Sequence, residues 1–467
     1  EVLGDSEAVG SSAAEAVPLA ETGENAVEEV LPDEYPPMAD APASQEDEEL
    51  VVATTVEPAA DGSYTIPLAV LAEAADRGAV VVVSVEPAPG ASTWDDVAKT
   101  LSEGDEGTVK LAANIEEAIS PVEVKGTKTL DLNGHTIAVD EIDTLFTVNA
   151  GATLTITDTN DDAAPVKLNV PGAARGEKIP SPADDHEGFK AMIGKKAEYN
   201  TDAQTLRYFI TSSYANRPAK GETTEYLYQY DLDLSGAGSI KARQAVNLVQ
   251  VSGGTLNIEG GRLTMEQGDH VVAAQEGTIT MTDGCIVGST GADGAAINAK
   301  KATVKITDQA IIAGNTARGD GNGGALWVDN TQLTVAGDAL IAGNRAGEEV
   351  FNDTTPGGMA QVRNGGGIYA NASSTVTLAD NAVLAGNTAQ ADGGAVYVQG
   401  RLRNNGSQAK SVLTVKDSAL VTNNRSENDK SAIHPSVRPD TNEGVNWKQL
   451  GGGGGGIFSM DETVIAG

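Results

Sequence analysis

One short pattern recurs along the chain and limits the folds that it can adopt. Segments that alternate an apolar residue with threonine or another polar residue, and then stop at aspartate, occupy residues 303–308, 375–380 and 412–417. Related copies begin at Thr129, Thr153, Thr255 and Thr278. Alternation with a period of two predicts a strand with one buried face. Copies of one unit at intervals of tens of residues predict a repeat protein whose neighbouring units share a core.

Two further blocks follow each of the later copies. The first is an apolar segment that ends at an asparagine, at Asn315, Asn344, Asn387 and Asn424. The second is a glycine pair followed by apolar and aromatic residues, at 323–328, 365–370, 393–398 and 454–459. Three short strands per turn, each laid beside its copy in the previous turn, form a parallel β-helix, and crossover chirality makes it right-handed. The equivalent asparagines are expected to form an amide ladder.

This pattern divides the chain into three parts. We expect residues 1–60 to be an acidic disordered leader, because they contain sixteen Asp and Glu and no Lys or Arg. Residues 61–107 are expected to cap the stack, with a short helix after Thr93. Residues 108–467 are expected to form about eleven or twelve coils, with a lateral insertion at about 170–240. Since the last repeat stops at Gly467, we expect the β-helix to be truncated there.

Charge and composition exclude several classes of partner. The chain has 67 acidic and 31 basic side chains, a net charge of −36. Repulsion from phosphates therefore disfavours nucleic acid and anionic membrane surfaces. No apolar run reaches the roughly 18 residues that a membrane span needs. One cysteine, Cys285, and four histidines leave no disulfide framework and no zinc set, so no metal or cofactor is predicted.

The later repeats resemble those of a known family. The pairing of residues 312–315 with residues 323–327 is similar to the repeat of chlamydial polymorphic outer-membrane proteins and related bacterial adhesin-like proteins, with Ile, Leu or Val where those usually carry Phe. Residues 130–137, Leu-Asp-Leu-Asn-Gly-His-Thr-Ile, resemble a coil of pectate-lyase-like surface proteins of gut bacteria. The resemblance covers 108–467 apart from the insertion. It implies a β-helix that is secreted or displayed on a bacterial surface, but this fold carries both enzymes and adhesins.

Catalysis on such a scaffold needs carboxylates on neighbouring outward positions, about 5 to 9.5 Å apart for a glycosidase. The outward central position of the alternating strand is polar without a carboxylate pair: Asp131, Thr155, Asn257, Thr280, Lys305, Thr334, Thr377 and Thr414. Asp131 with His135 is the best remaining pair, although His135 is expected to close the turn at Asn133. The aspartates that end strands are expected to accept backbone N–H groups rather than to bind calcium. No catalytic residue is therefore assigned.

Aromatic residues supply the candidate binding positions. In the third block, equivalent outward positions on successive coils are aromatic: Trp327, Tyr369, Tyr397 and Phe458. An exposed stripe of this kind would present flat apolar faces to sugar rings. The alternative is that the four rings stack on one another or lie beneath loops.

The insertion supplies a second set of candidates. Tyr226, Tyr228 and Tyr230 alternate with acidic and polar residues and would share one face of a strand, either as a ligand-binding face or as the core of a flap packed on the coil. Arg318-Gly319-Asp320 is an integrin-type tripeptide in a predicted loop.

The functional hypothesis is a secreted or cell-surface bacterial protein, adhesin-like or structural, that binds glycans or host and other extracellular surface proteins without catalysis. The first alternative is a polysaccharide lyase or glycoside hydrolase whose acidic groups lie in loops. The second is a non-catalytic β-helix domain of a larger surface enzyme. None of the three involves nucleic acid, a cofactor or membrane insertion of this segment.

Overall fold

The computed structural model describes residues 90–160, 168–169, 177–178, 195–211, 226–347, 363–402, 408–427 and 455–466. These residues belong to one compact unit, Glu86–Gly467. The predicted leader and the capping region before residue 90 lie outside the described residues. No helix in the described ranges is long and apolar enough to cross a membrane.

A single short helix, α1 (Trp94–Ser102), precedes the described strands. The Thr93 side chain accepts a hydrogen bond from the backbone N–H of Asp96, as the predicted N-terminal capping pair requires. Its buried apolar face consists of the three predicted residues, Trp94, Val97 and Leu101. The helix contacts strands Glu106–Lys110 and Val122–Val124 of the first coil, so it covers that end of the stack.

Parallel strands stack in columns, each strand paired in register with its copy in the next coil. The first column holds the alternating Thr-rich segments: Glu106–Lys110, Thr127–Asp131, Thr153–Thr157, the first parts of Thr255–Gln275 and Thr278–Val287, Thr303–Ile306, Gln332–Val335, Thr375–Leu378, Val412–Lys416 and Glu462–Ala466. The predicted parallel β-helix is confirmed.

The second and third columns contain the other two blocks. The second column has the beginnings of Thr136–Asn149 and Ser239–Ser252, later parts of Thr255–Gln275 and Thr278–Val287, then Ile311–Ala313, Leu340–Ala342, Val383–Ala385 and Leu420–Thr422. The third has Val122–Val124, the ends of Thr136–Asn149, Ser239–Ser252 and Thr255–Gln275, then Ile297–Lys300, Leu326–Asp329, Ile368–Asn371, Val396–Gln399 and Ile457–Ser459.

A fourth column of two-residue strands was not predicted: Thr290–Gly291, Thr316–Ala317, Arg345–Ala346, Thr388–Ala389 and Arg425–Ser426. The pattern missed it because two residues are too short to show a period. The expected eleven or twelve coils are also too many, since the first column has ten strands in the described residues. The later coils contain long connections, with 43 residues between Asn344 and Asn387 and 50 between Ser411 and Asp461.

The predicted asparagine ladder runs along one corner of the coil. Nδ2 of Asn315, Asn344 and Asn387 donates to Oδ1 of the next asparagine at 2.9 Å in each case. The same oxygens also accept the preceding backbone N–H groups. These three side chains are fully buried. Because every amide atom has partners, a row of buried polar groups is compatible with the apolar core.

The insertion lies between the strands Thr153–Thr157 and Ser239–Ser252. Its strands form an antiparallel sheet, which we call the flap: Leu168–Asn169, Glu177–Lys178, Glu198–Asn200, Thr205–Thr211 and Tyr226–Asp233. A small hairpin, Arg401–Leu402 with Gln408–Ala409, projects from a later coil.

The flap packs on the outward face of the second column. Its Leu206, Tyr208 and Leu232 share an apolar cluster with column residues that include Cys285 and Ala342. The strands of this column are therefore apolar on both faces. The flap approaches the coil closely, because a Cβ added at Gly314 would lie 2.4 Å from Cβ of Tyr199.

An ion-pair network joins the flap to two distant coils. Nη2 of Arg345 lies 2.6 Å from Oε2 of Glu427, and Nζ of Lys196, which precedes the flap strand Glu198–Asn200, lies 3.6 Å from Oε1 of Glu427. Burial raises the pKa of Glu427, but the hydrogen bond and charge of Arg345 and the charge of Lys196 outweigh it, so the pKa is lowered overall. The network therefore holds the flap best when Glu427 is ionised.

Candidate binding surface

The third column carries the predicted aromatic residues in exact register. Trp327 pairs with Tyr369, Tyr369 with Tyr397 and Tyr397 with Phe458 on successive coils. The ring centroids are 6.5, 5.2 and 5.2 Å apart and the ring planes differ by only 4 to 7°. We call this stack the aromatic ladder. It forms because the roughly 4.8 Å distance between strands is close to the separation of stacked rings.

Stacking changes what the aromatic ladder can present to a ligand. Tyr369 is 9% exposed and Tyr397 is 6% exposed, whereas Trp327 and Phe458 are half-buried. The Tyr369 hydroxyl donates to Gln399, and burial raises the pKa of Tyr369 to about 12. The prediction of an exposed stripe of ring faces is therefore wrong for the two tyrosines, and the alternative of mutual stacking is confirmed. The accessible rings are those at the ends.

The Trp327 end differs from the rest of the column. The equivalent outward positions in the two preceding coils are Asn298 and Ala273, so within the described residues no ring covers the second face of Trp327. Nζ of Lys300, from the preceding coil, lies over this face at 5.2 Å from the ring centroid. We call this step in the surface, formed by Ala273, Asn298, Lys300 and Trp327, the Trp327 shelf.

Sequence reasoning missed Lys300, although the repeat alignment contained a signal for it. Lys300 pairs with Asp329, which in turn pairs with Asn371, so these three lie at equivalent positions two residues beyond the aromatic ladder. A period of two places them on the same outward face as the rings. An alignment that included this position would have placed a lysine beside Trp327.

The tyrosines of the insertion form part of the flap core. Tyr230 stacks on Tyr208 with centroids 5.1 Å apart, and burial raises the pKa of Tyr230. Tyr228 is half-buried opposite Ile210. Tyr226 begins its strand, but its side chain lies outside the described residues. Of the two interpretations, the flap core is therefore the correct one for Tyr230, and Tyr228 remains a candidate contact.

The integrin-type tripeptide lies in an exposed turn that is held by contacts within the chain. The N–H of Gly321 donates to the Arg318 carbonyl at 2.8 Å, and Nη2 of Arg318 donates to the Gly268 carbonyl at 3.1 Å. Oδ1 of Asp320 lies 3.2 Å from Nη2 of Arg363. Gly319 is exposed. A receptor that recognised the side chains of Arg318 and Asp320 would have to break both of these contacts. Recognition of the tripeptide by a receptor stays a prediction.

Asp131 and His135 close a turn, as expected. Oδ1 of Asp131 accepts the N–H groups of Asn133 and Thr159, both at 3.0 Å. The N–H of His135 donates to the Leu132 carbonyl at 2.8 Å. Lys110 lies 3.5 Å from Oδ2 of Asp131. Oδ1 of Asp131 thus fixes the backbone, while Oδ2 also accepts a hydrogen bond from the Thr159 hydroxyl. The predicted alignment of Asp131 with Thr155 is wrong by two residues, since Thr129 pairs with Thr155 and Asp131 with Thr157.

The aspartates at strand ends accept backbone N–H groups, as predicted, although several of these groups belong to neighbouring coils. Asp158 accepts from Gly134 at 2.7 Å and from Gly238 at 2.6 Å, and Asp380 accepts from Gly337 at 3.1 Å. In the part of the chain that the structure describes, no group of three or more His, Cys, Asp or Glu side chains is arranged to hold a metal ion.

Cys285 lies beneath the flap. It is fully buried, and burial raises the pKa of the Cys285 thiol to about 12. A thiol of this kind is unreactive while the flap is in place.

Comparison of the chain with protein-family profiles, with curated proteins and with solved structures finds no match.

Proposed function

We propose that this chain is an adhesin-like or structural repeat protein, secreted or displayed on a bacterial surface, that binds glycans or extracellular surface proteins through its third column. The observation that carries the proposal is the end of the aromatic ladder. Trp327 presents a ring face that no neighbouring ring covers, beside the amide of Asn298 and the small side chain of Ala273. An apolar ring face next to amides is the combination that binds the two faces of a sugar.

The rest of the column supports a role in display. The aromatic ladder and the asparagine ladder connect successive coils through side chains as well as through the backbone. Such contacts resist bending and shear between coils, which suits a rod that holds a binding surface away from its attachment point. The resemblance of the repeats to those of bacterial adhesin-like proteins supports the same location.

The first column favours binding over catalysis. Its outward positions are mostly threonines, and Asp131 already accepts two backbone N–H groups. A hydrolase needs a second carboxylate near the first, with one of them free to be protonated. The central outward positions from Thr155 to Thr414 contain no carboxylate. Glu259 and Asp283 lie side by side at the ends of the first-column parts of two neighbouring strands, and the alternative of a hydrolase depends on this pair.

The test is a panel of immobilised mucins, plant and microbial polysaccharides and matrix proteins, scored both for retention of the chain and for release of shorter products. We expect retention without products, reduced in Trp327→Leu and unchanged in Thr377→Ala, a matched control on the first column. Tyr228→Ala tests the contribution of the flap. Product release by the wild type would contradict the proposal and favour a lyase or hydrolase. Equal retention of the wild type and of Trp327→Leu would show that the third column is not the binding surface.

A further inference from the structure

Lys300 occupies an unusual position on the Trp327 shelf. Its ammonium lies over the ring face of Trp327, 5.2 Å from the centroid. Among the described residues, no carboxylate lies within ion-pair distance of this ammonium, although its neighbour Lys301 pairs with Glu276 at 3.6 Å. The side chain is exposed. A lysine ammonium over an aromatic face, with no carboxylate in the described ranges to hold it there, indicates that this face is a favourable position for positive charge.

The surroundings of the shelf are acidic. Asp329 pairs with Lys300 in the strand register, and the Asp293 carbonyl accepts a hydrogen bond from Nδ2 of Asn298 at 2.8 Å. Burial is the main cause of the raised pKa of Tyr369, and the charges of Asp293 and Asp329 add to it. Oδ1 of Asp293 accepts the backbone N–H of Asn322 at 2.6 Å, which holds this carboxylate in place. The whole chain, at −36, also attracts cations from a distance.

From these two observations we propose that the Trp327 shelf binds the protonated free amine of an amino sugar, and that Lys300 competes for the same position. This inference rests on the proposed glycan-binding function and specifies its ligand. The ammonium of the sugar takes the place of Nζ of Lys300 over the ring. The carboxylates of Asp293 and Asp329 attract it, while the lysine swings out to solvent.

The shape of the shelf favours a sugar over a basic peptide. The two positions that precede Trp327 in the column carry side chains smaller than its ring, Asn298 and then Ala273. Oδ1 of Asn298 remains an acceptor for a hydroxyl because the amide nitrogen already donates to the Asp293 carbonyl. An extended peptide needs backbone partners along a sheet edge. The third-column strands beside the shelf already pair with neighbours on both sides.

The experiment is calorimetric titration of the full chain with two tetrasaccharides that differ only in acetylation. One is the glucosamine tetramer with free amines, and the other is its fully N-acetylated form, both at about pH 5.5, where amines are protonated. Tetralysine is the peptide probe. The variants are Lys300→Gln, which removes the competing cation, Trp327→Leu, which removes the ring, and Lys301→Gln, which makes the same charge change outside the shelf.

We expect the free amine to bind more tightly than the acetylated form, and Lys300→Gln to tighten that binding about two- to five-fold more than Lys301→Gln does. Trp327→Leu should abolish the preference. Circular dichroism checks the fold of each variant, and Lys300→Gln keeps the test valid should Trp327→Leu fail to fold.

Several results would overturn this inference. Equal binding of both tetrasaccharides would refute the amine specificity and leave glycan binding intact. Free-amine binding that does not change in Lys300→Gln would place the site elsewhere, and stronger binding of tetralysine would assign the shelf to a protein partner. Failure of both sugars refutes the inference, while the proposed function is judged separately by retention on the wider panel.

Discussion

Replacement of Asn344 in the middle of the asparagine ladder tests whether the buried amides stabilise the coil. Nδ2 of Asn344 donates to Oδ1 of Asn387 and to the Ile312 carbonyl, both at 2.9 Å. Oδ1 of Asn344 accepts the backbone N–H of Asn315 at 3.0 Å and its Nδ2 at 2.9 Å. Asn344→Ala therefore removes four hydrogen bonds from a fully buried position.

The magnitude follows from the groups that lose their partners. Two donors of Asn315, the backbone N–H and one amide hydrogen, are left buried without an acceptor. Each such group costs about 1 to 3 kcal/mol, so we expect Asn344→Ala to lower the free energy of unfolding by about 4 kcal/mol. Asn344→Asp should lower the free energy of unfolding further at neutral pH. It buries a charge, and it places a carboxylate oxygen against two acceptors, the Ile312 carbonyl and Oδ1 of Asn387. Protonation restores a donor, so its deficit should shrink as the pH falls.

The assay is urea denaturation followed by circular dichroism, with the slope of the transition used to check that the cooperative unit is unchanged. Asn381→Ala is the matched control, since its exposed Nδ2 donates only to Oδ1 of Asp338 at 3.0 Å. It should change the free energy of unfolding by less than about 0.5 kcal/mol. An Asn344→Ala variant within about 1 kcal/mol of this control would refute the argument that the ladder stabilises the coil.

Three other predictions concern the flap, the aromatic ladder and pH. Gly314→Ala should lift the flap and speed the modification of Cys285 by a thiol reagent, because the new Cβ would lie 2.4 Å from Cβ of Tyr199 in the flap. Gly319→Ala is the control: its φ of +55° is as left-handed as the +65° of Gly314, but nothing lies within 4 Å of the new Cβ, so it should not change the rate of modification. Equal rates would show that flap contact is not the cause. Tyr397→Ala should cost about 3 to 5 kcal/mol in urea denaturation, and Tyr397→Phe, which keeps the stack, below about 1.5 kcal/mol; similar losses would mean that the hydroxyl, not the ring, stabilises the column. The pKa of Glu427 is lower in the folded chain than in the unfolded chain, so its ionised carboxylate stabilises the fold above the unfolded pKa, and this contribution is lost as the pH falls through the folded pKa. Glu427→Gln should therefore reduce the loss of stability at acid pH. An unchanged acid side of the stability–pH curve would show that the ion-pair network does not stabilise the fold.

Much of the fold follows from the repeats. Strict alternation in the first column, the asparagine at one corner and the glycine pair before the aromatic residue each specify a local conformation. Stacking identical units repeats that conformation at a constant spacing. Asn315 to Asn424 therefore form the expected ladder, and Thr93 caps the expected helix. A repeat protein is predictable in this way because its important contacts join equivalent positions, and equivalence is visible in the sequence.

The candidate site was predicted less well, for a reason that concerns side chains rather than strands. The alignment placed Trp327 and Tyr369 on one face, but exposure depends on whether neighbouring rings are close enough to cover each other. Stacking covers Tyr369 and Tyr397 and leaves Trp327 as the open end. The importance of Lys300 depends on its conformation over that ring, which no spacing rule specifies.

By itself, the sequence determined the parallel β-helix, the position of the insertion and the cap, because all of these depend on periodicity and on residue type. Only the tertiary structure decided how the flap lies on the second column, which aromatic faces remain open, and which cation lies beside Trp327. Those features arise where segments distant in sequence meet. A one-dimensional pattern carries no information on such contacts until the coil has brought the segments together.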